Sequence, residues 1–208
     1  MTLLGLLILI SGIILLVLPG APSLVTRIHE LQPSMPNYKY WVFGAIAIGF
    51  LGSVLDHGST NVALPTIAGH FNTDIPTVQW VVLAYVLTIT ALLLPMGKLA
   101  DIVGRKKVYI IGSLVFAIGA GVSGSSSGLI MLILSRVAQG IGAAMTQGTG
   151  MAIITSTFPP SQRGKAIGLI MTVVGTGAVA GPAVGGVLVE ALGWPYVFYL
   201  NLPIGFLG

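Results

Sequence analysis

The stretch LILSRVAQGIGAA, residues 132–144, decides the fold class of this chain. Arg136 is its only charged residue, and its neighbours are mostly Leu, Ile, Val, Ala and Gly. A guanidinium near the centre of a membrane-spanning helix costs about 2.5–3.5 kcal/mol on insertion scales, and such a residue usually faces a bundle interior and pairs there. The stretch therefore predicts a membrane helix, and it requires a partner for Arg136.

The composition supports an integral membrane protein. Of 208 residues, 55% are hydrophobic and only 7% are charged, and the mean hydropathy is +0.99. Soluble domains carry about 25% charged residues. The 29 glycines allow close approach of membrane helices. The chain has no cysteine, and no nucleophile–base set or metal-ligand cluster is visible, so we predict neither an enzyme nor a cofactor or metal site.

The apolar runs predict an all-α fold, a polytopic membrane helix bundle. A transmembrane helix needs about 20 mostly apolar residues. Six spans are predicted at residues 41–67, 79–96, 108–124, 129–155, 166–191 and from 197 onward. Residues 1–20 are predicted as an extra N-terminal hydrophobic segment, an additional helical span with its N-terminus outside. An uncleaved signal-like or interfacial segment is the alternative. Residues 21–40 are predicted as a cytoplasmic linker, and residues 41–208 as one six-helix half with a truncated last helix.

The basic residues give the orientation, because Lys and Arg accumulate in cytoplasmic loops. Eight of the nine fall in segments on one side of the predicted spans: Arg27, Lys39, Lys98, Arg105, Lys106, Lys107, Arg163 and Lys165. Only Arg136 lies inside a span. The net charge of +4 therefore reflects membrane topology rather than a nucleic-acid partner. The lipid bilayer is the predicted environment, and a multi-pass location in the cell membrane follows.

Asp56 is the predicted partner of Arg136, because the other acidic residues lie in the linker, in a loop or at the outer ends of spans. At about 1.5 Å per helical residue, Arg136 lies about 10 Å from the outer end of its span. Asp56 lies about 9 residues, or about 14 Å, before Pro65 at the outer end of the first span. Helical spacing places further polar side chains on the same two faces. The candidates for cavity or substrate contacts are Ser59, Thr60, Gln139 and Gln147. The residues alone leave two interpretations open, a water-accessible cavity and a static structural pair.

The segment GKLADIVGRKKV, residues 97–108, with Ile102 in place of a usual Arg, is similar to the cytoplasmic signature loop of the major facilitator superfamily. Motifs on four of the spans also resemble this superfamily, in the right order along the chain. The opening stretch around Arg136 resembles the fourth-span motif. GAVAGPAVGG, residues 177–186, resembles the antiporter motif of the fifth span. The signature loop is matched at Gly97, Asp101, Gly104, Arg105 and Lys106, and the antiporter motif at Gly177, Gly181, Pro182, Gly185 and Gly186.

Two further motifs resemble the drug:proton antiporters, in particular their fourteen-span subfamily. LDHGSTNVALP, residues 55–65, is similar to the first-span motif but departs from it at Gly58, Ser59 and Thr60. GWPYVFYLNLPIG, residues 193–205, resembles the entry to the sixth span, with Pro195 in place of a usual Arg. The resemblance covers residues 40–208.

The resemblance implies proton-coupled efflux of drugs or other small amphiphilic molecules by alternating access between two halves. It implies that Asp56 and Arg136 couple protons to transport, and that the loop of residues 97–106 latches the two halves on the cytoplasmic side. The missing C-terminal half, of six or eight helices, is the expected partner. A carrier for another small solute, and a half without activity unless paired, are the alternatives.

The motif residues also have direct physical interpretations. Gly97 and Gly104 permit close helix approach and a tight turn, and Asp101 can cap a helix or pair with Arg105. The glycines of the antiporter motif recur every four residues and form a groove for a facing helix, while Pro182 loosens the backbone beside it. We therefore expect a packing and hinge role for this motif.

Overall fold

The computed structural model describes residues 38–207, and those residues are helical with short connections and no strand. The all-α membrane fold is thereby confirmed. The predicted segment 1–20 and most of the linker 21–40 lie outside the described residues. In chain order the helices are α1 (Tyr38–His70), α2 (Ile75–Val78), α3 (Trp80–Val103), α4 (Arg105–Gly124), α5 (Leu129–Thr157), α6 (Pro160–Ala191), α7 (Pro195–Tyr199) and α8 (Asn201–Leu207).

Five helical segments in the described part of the chain are long and apolar enough to cross a membrane. The first four predicted spans begin within three residues of the observed helices, but α1 runs past Pro65 to His70. A proline removes one backbone donor and kinks or breaks many helices, and α1 tolerates it. α6 begins at Pro160, six residues before the predicted start, because Pro is favoured in the first helical turn.

The sixth predicted span consists of the short helices α7 and α8, which meet at Leu200. The backbone of Leu200 remains right-handed helical, with φ −55° and ψ −32°. Pro203 has no N–H to donate to the carbonyl of Tyr199, four residues earlier. The missing bond weakens the helix at this junction, next to Asn201.

Helix α5 lies at the centre of the packing, against α3 on one side and α4 on another. Contact with α4 is so close that a Cβ added at Gly142 would overlap the backbone of Phe116. A Cβ at Gly148 would lie 2.8 Å from the carbonyl oxygen of Leu93 in α3. Small residues thus let three helix backbones approach each other, as is typical of membrane bundles. This packing fixes the position of Arg136 within the bundle.

Candidate functional site

The structure places Asp56 of α1 and Arg136 of α5 in direct contact. Arg136 Nη1 lies 2.7 Å from Asp56 Oδ2, and both side chains are fully buried. The contact agrees with the depths expected from sequence, although the end of α1 lies five residues beyond Pro65. The carboxylate of Asp56 and the guanidinium of Arg136 are both removed from water, and each compensates the charge of the other.

Two side-chain amides complete the surroundings of the carboxylate. Gln139 Nε2 donates to Asp56 Oδ1 at 3.0 Å, and Asn201 Nδ2 donates to the same oxygen at 2.7 Å. Gln139 also accepts a hydrogen bond from Arg136 Nη1 through Oε1, at 2.7 Å. Asp56 therefore receives donors from α5 and α8, and Gln139 links both members of the ion pair.

Arg136 is held by further contacts that do not involve Asp56. Its Nε donates to the carbonyl oxygen of Val81 at 3.1 Å. The guanidinium carbon lies 4.1 Å from the ring centroid of Tyr85 and 5.5 Å from that of Phe198. Arginine attracts the faces of aromatic rings, and the attraction strengthens when the site is dry. The guanidinium would thus keep several partners if Asp56 lost its charge.

Because both charges are buried, the effect of a substitution on stability depends on whether one partner or both are replaced. Replacing a whole buried ion pair by neutral groups is often close to neutral for stability, whereas removing one partner costs about 3–5 kcal/mol. Protonation of Asp56 would remove the charge attraction to Arg136 without removing a side chain.

The structure does not bring all four candidate cavity residues to the ion pair. Gln139 contacts both charges, as described above. Ser59 is buried, but its hydroxyl donates to the carbonyl oxygen of Leu55 at 2.7 Å. Thr60 is buried and its Oγ1 has no hydrogen-bond partner among the described residues. Gln147 instead lines an open groove of about 420 Å³ together with Gly97 and Asp101.

Asn201 is a member of the site that our sequence reasoning did not single out. It is fully buried and begins α8. The available signal was an amide side chain inside an otherwise apolar predicted span. That signal does not reveal a partner 145 residues away in the chain, because the contact depends on how the last helix packs.

The glycines of the antiporter motif pack against the turn of α1 that carries Asp56. A Cβ added at Gly181 would lie 3.1 Å from the Cα of Gly58, and one at Gly185 would lie 2.5 Å from the Cα of Ser59. Gly177 lies against Leu51 and Val54 of the same helix. The facing helix expected for this groove is therefore α1.

The two remaining residues of the antiporter motif are Gly186 and Pro182, and their contacts differ from those of the three glycines. No atom of the described residues lies within 4 Å of a Cβ added at Gly186, so Gly186 takes no part in this close contact. Pro182 lies inside α6, and its Cδ would lie 2.9 Å from a Cβ added at Gly58. The packing role thus falls on the three glycines spaced four residues apart.

The signature loop forms a compact joint between α3 and α4. Gly104 adopts a positive φ of 111°, which gives the tight turn expected there. Arg105 binds Asp101 at 2.9 Å and donates to the carbonyl oxygen of Ala152 in α5 at 3.0 Å. Of the two roles open to Asp101, pairing is present, and α4 has no side-chain cap. Lys106 is exposed at the start of α4.

These features define a class of protein, a multi-helix membrane protein with a buried ion pair inside its bundle. The model of the Major Facilitator Superfamily matches residues 46–208, and the chain belongs to this family of transporters. It is a multi-pass membrane protein of the cell membrane.

Curated relatives match over most of this chain. The riboflavin transporter RibZ of Clostridioides difficile is 43% identical over 167 residues, which is 80% of this chain and 37% of that protein. The tetracenomycin C resistance and export protein of Streptomyces glaucescens is 34% identical, over 77% of this chain and 30% of that protein. The methylenomycin A resistance protein of Bacillus subtilis is 35% identical, over 85% of this chain and 38% of that protein. The chain thus spans about a third of these relatives' length.

A solved structure shares the fold. The bacterial homologue of the human lysosomal transporter Spinster, in an inward-facing and unoccupied conformation, matches with a TM-score of 0.68 and 20% sequence identity. The match covers 83% of this chain and 43% of that structure.

Proposed function

We propose that this chain is the N-terminal half of a proton-coupled exporter of drugs or other small amphiphilic molecules. The observation that carries the proposal is the fully buried ion pair between Asp56 and Arg136. Ionisable residues buried within membrane spans are expensive and mark ion pathways and proton relays. In this proposal the chain works by alternating access with a C-terminal half of six or eight helices, around a site at the interface of the two halves.

The coupling step is protonation of Asp56. A proton that arrives from the outer side neutralises the carboxylate and removes its charge attraction to Arg136. Arg136 stays on α5, held by the carbonyl oxygen of Val81 and the ring of Tyr85. Helix α1 is thereby freed to move relative to α5, and the substrate leaves outward. Return of the proton to the cytoplasm restores the ion pair.

Motion of α1 would carry α6 with it. The close contacts of Gly181 and Gly185 lie within three residues of Asp56 along α1. Because backbones in such contact cannot slide independently, the antiporter motif would act as a packing and hinge element. The loop of residues 97–106 would act as the cytoplasmic gate, with Asp101, Arg105 and Lys106 facing the C-terminal half.

The names of the relatives favour two kinds of substrate. Two of the relatives are named for resistance to antibiotics, which supports export of drugs. RibZ is named as a riboflavin transporter and is more similar in sequence, which supports a second candidate, a carrier for another small solute such as riboflavin. The proton-coupling proposal applies to both. A third candidate is a half that has no transport activity unless it is paired.

The proposal is tested by Asp56→Asn in the full-length protein that contains this chain. We expect proton-driven transport in everted membrane vesicles to fall at least about tenfold, equivalent to about 1.4 kcal/mol. Ethidium and riboflavin are suitable probes of the two substrate classes. The matched control is Asp74→Asn, the same chemical change at an exposed residue that precedes α2. Unimpaired pH-dependent transport by Asp56→Asn would remove Asp56 from the coupling.

A further inference from the structure

Asn201 differs from the other side chains that donate to Asp56 because it keeps an unused hydrogen-bond acceptor. Its Nδ2 donates to Asp56 Oδ1 at 2.7 Å, while its Oδ1 is buried and has no hydrogen-bond partner among the described residues. A second contact of Nδ2, with the carbonyl oxygen of Val197, is long at 3.4 Å. Asn201 therefore presents a donor to the carboxylate and keeps an unused acceptor beside it.

The three side chains that donate to Asp56 differ in how they could respond to a proton. A carboxylate only accepts hydrogen bonds, whereas a carboxylic acid has one O–H that must find an acceptor. Arg136 carries no acceptor at all. Gln139 has one, but its Oε1 already accepts from Arg136 Nη1 at 2.7 Å. Only Asn201 can change from donor to acceptor without breaking another bond between side chains.

We propose that Asn201 is a positioning residue that responds to the protonation state of Asp56 by exchanging its donor for its acceptor. With Asp56 ionised, Nδ2 donates to Oδ1, as in this structure. When a proton binds to Oδ1, the amide turns by about 180° about its terminal torsion, and Asn201 Oδ1 accepts the new O–H. The proton stays on Asp56 throughout. The inference rests on the proposed proton coupling and assigns its response to one further residue.

The position of Asn201 connects this exchange to other helices. Asn201 begins α8 immediately after Leu200, and Pro203 weakens the helix at that point. The next turn of α8 contacts two helices closely. Ile204 lies against Gly52 of α1, and Gly205 lies against Ala117 and the carbonyl oxygen of Ser113 in α4. A movement of Asn201 would thus reach α1 and α4 directly.

Few other groups that can titrate face the carboxylate. From α5 the facing group is the guanidinium of Arg136, and from α3 it is the phenol of Tyr85, which lies against that guanidinium. On α6 the residues packed closely against α1 include Pro182 and glycines of the antiporter motif, and on α8 they include Ile204; none of these titrates. Arginine is not deprotonated in proteins. Within the described residues, a pH response at this site therefore comes down to Asp56 and Tyr85.

The test compares two replacements in the full-length protein in membranes. Asn201→Leu has nearly the same size but can neither donate nor accept. Asn201→Thr has a hydroxyl that can do both. The primary measurement is the infrared difference spectrum between acid and alkaline pH, which needs no substrate. Hydrogen bonding lowers the stretching frequency of a carboxylic acid carbonyl, so the band of protonated Asp56 reports the acceptor.

We expect the Asp56 band at a higher frequency in Asn201→Leu than in wild type, and close to the wild-type frequency in Asn201→Thr. Proton-driven ethidium transport should fall about tenfold in Asn201→Leu, with the KM for ethidium within about twofold, and Asn201→Thr should restore it. An unchanged band in Asn201→Leu would overturn the inference, as would equal loss of transport in both variants.

One further variant separates this inference from the proposed function. Asp56→Asn must remove the carboxylic acid band. If the acid–alkaline spectrum keeps that band in Asp56→Asn, the band does not come from Asp56 and the proposed function itself fails. If the band disappears, but Asn201→Leu leaves it at the wild-type frequency, only the role of Asn201 fails.

Discussion

The close contact between α6 and α1 can be tested with two adjacent glycines. Gly185 and Gly186 lie side by side in α6, but a Cβ added at Gly185 would lie 2.5 Å from the Cα of Ser59 and 2.9 Å from its carbonyl oxygen. Because both are backbone atoms, no rotation of a side chain can relieve the overlap. In the part of the chain that the structure describes, a Cβ added at Gly186 meets no atom within 4 Å. Gly186→Ala is therefore the matched control for Gly185→Ala.

The expected magnitude follows from two opposing effects. Replacing Gly by Ala in a helix gains about 1 kcal/mol from helix propensity, and this gain is common to both positions. Overpacking a close contact costs about 1–3 kcal/mol, and only Gly185→Ala incurs that cost. The free energy of unfolding of Gly185→Ala should thus lie about 1–3 kcal/mol below that of Gly186→Ala. The difference between the two variants does not depend on the propensity.

The measurement is unfolding of the full-length protein in detergent, with transport measured in parallel. Because Ser59 is three residues from Asp56, a shift of α1 should also lower proton-driven transport in Gly185→Ala and not in Gly186→Ala. Equal stability and equal transport of the two variants would refute the packing of α6 against the turn of α1 that carries Asp56.

Three further predictions concern the buried ion pair, the aromatic ring over Arg136 and the exposed ion pair of the signature loop. Arg136→Ala should lower the free energy of unfolding by about 3–5 kcal/mol, because it leaves the carboxylate of Asp56 buried without its charged partner. The double variant Asp56→Asn, Arg136→Gln should recover most of that loss in the same unfolding assay, without recovering transport. Tyr85→Phe keeps the ring over the guanidinium, so its free energy of unfolding should be close to that of wild type. Tyr85→Leu removes the ring and should lower the free energy of unfolding by about 2 kcal/mol. Equal free energies of unfolding for the two variants would contradict the ring contact. Asp101→Asn removes an exposed ion pair with Arg105, so stability should change by less than about 1 kcal/mol, while transport should fall if the loop is the gate.

The positions of the spans follow from the sequence because burial in lipid demands long apolar helices, and these are visible without tertiary contacts. The contact between Asp56 and Arg136 is also predictable, because a chain with few charges leaves one acidic residue inside a span and away from its ends. The end of α1 is not predictable from the sequence. A proline often marks the end of a helix, but α1 continues past Pro65 to His70.

Other parts of the site needed the fold. Gln147 shares a helix face with Arg136 but lies about three turns away along α5, where it lines the groove beside Gly97. Asn201 reaches Asp56 only because α8 packs against Gly52 of α1. Helical spacing places residues on a face, but it does not tell which neighbouring helix covers that face at each depth.

The most direct test of the central claim is the number of protons released when substrate binds to the purified full-length protein. The probe is ethidium or riboflavin, whichever the vesicle assay shows to be transported. In weakly buffered solution we expect wild type to release protons on binding, because substrate and proton compete through Asp56. Asp56→Asn should bind the same probe with no proton release and with an affinity that does not depend on pH. Equal proton release by Asp56→Asn and wild type would contradict the account.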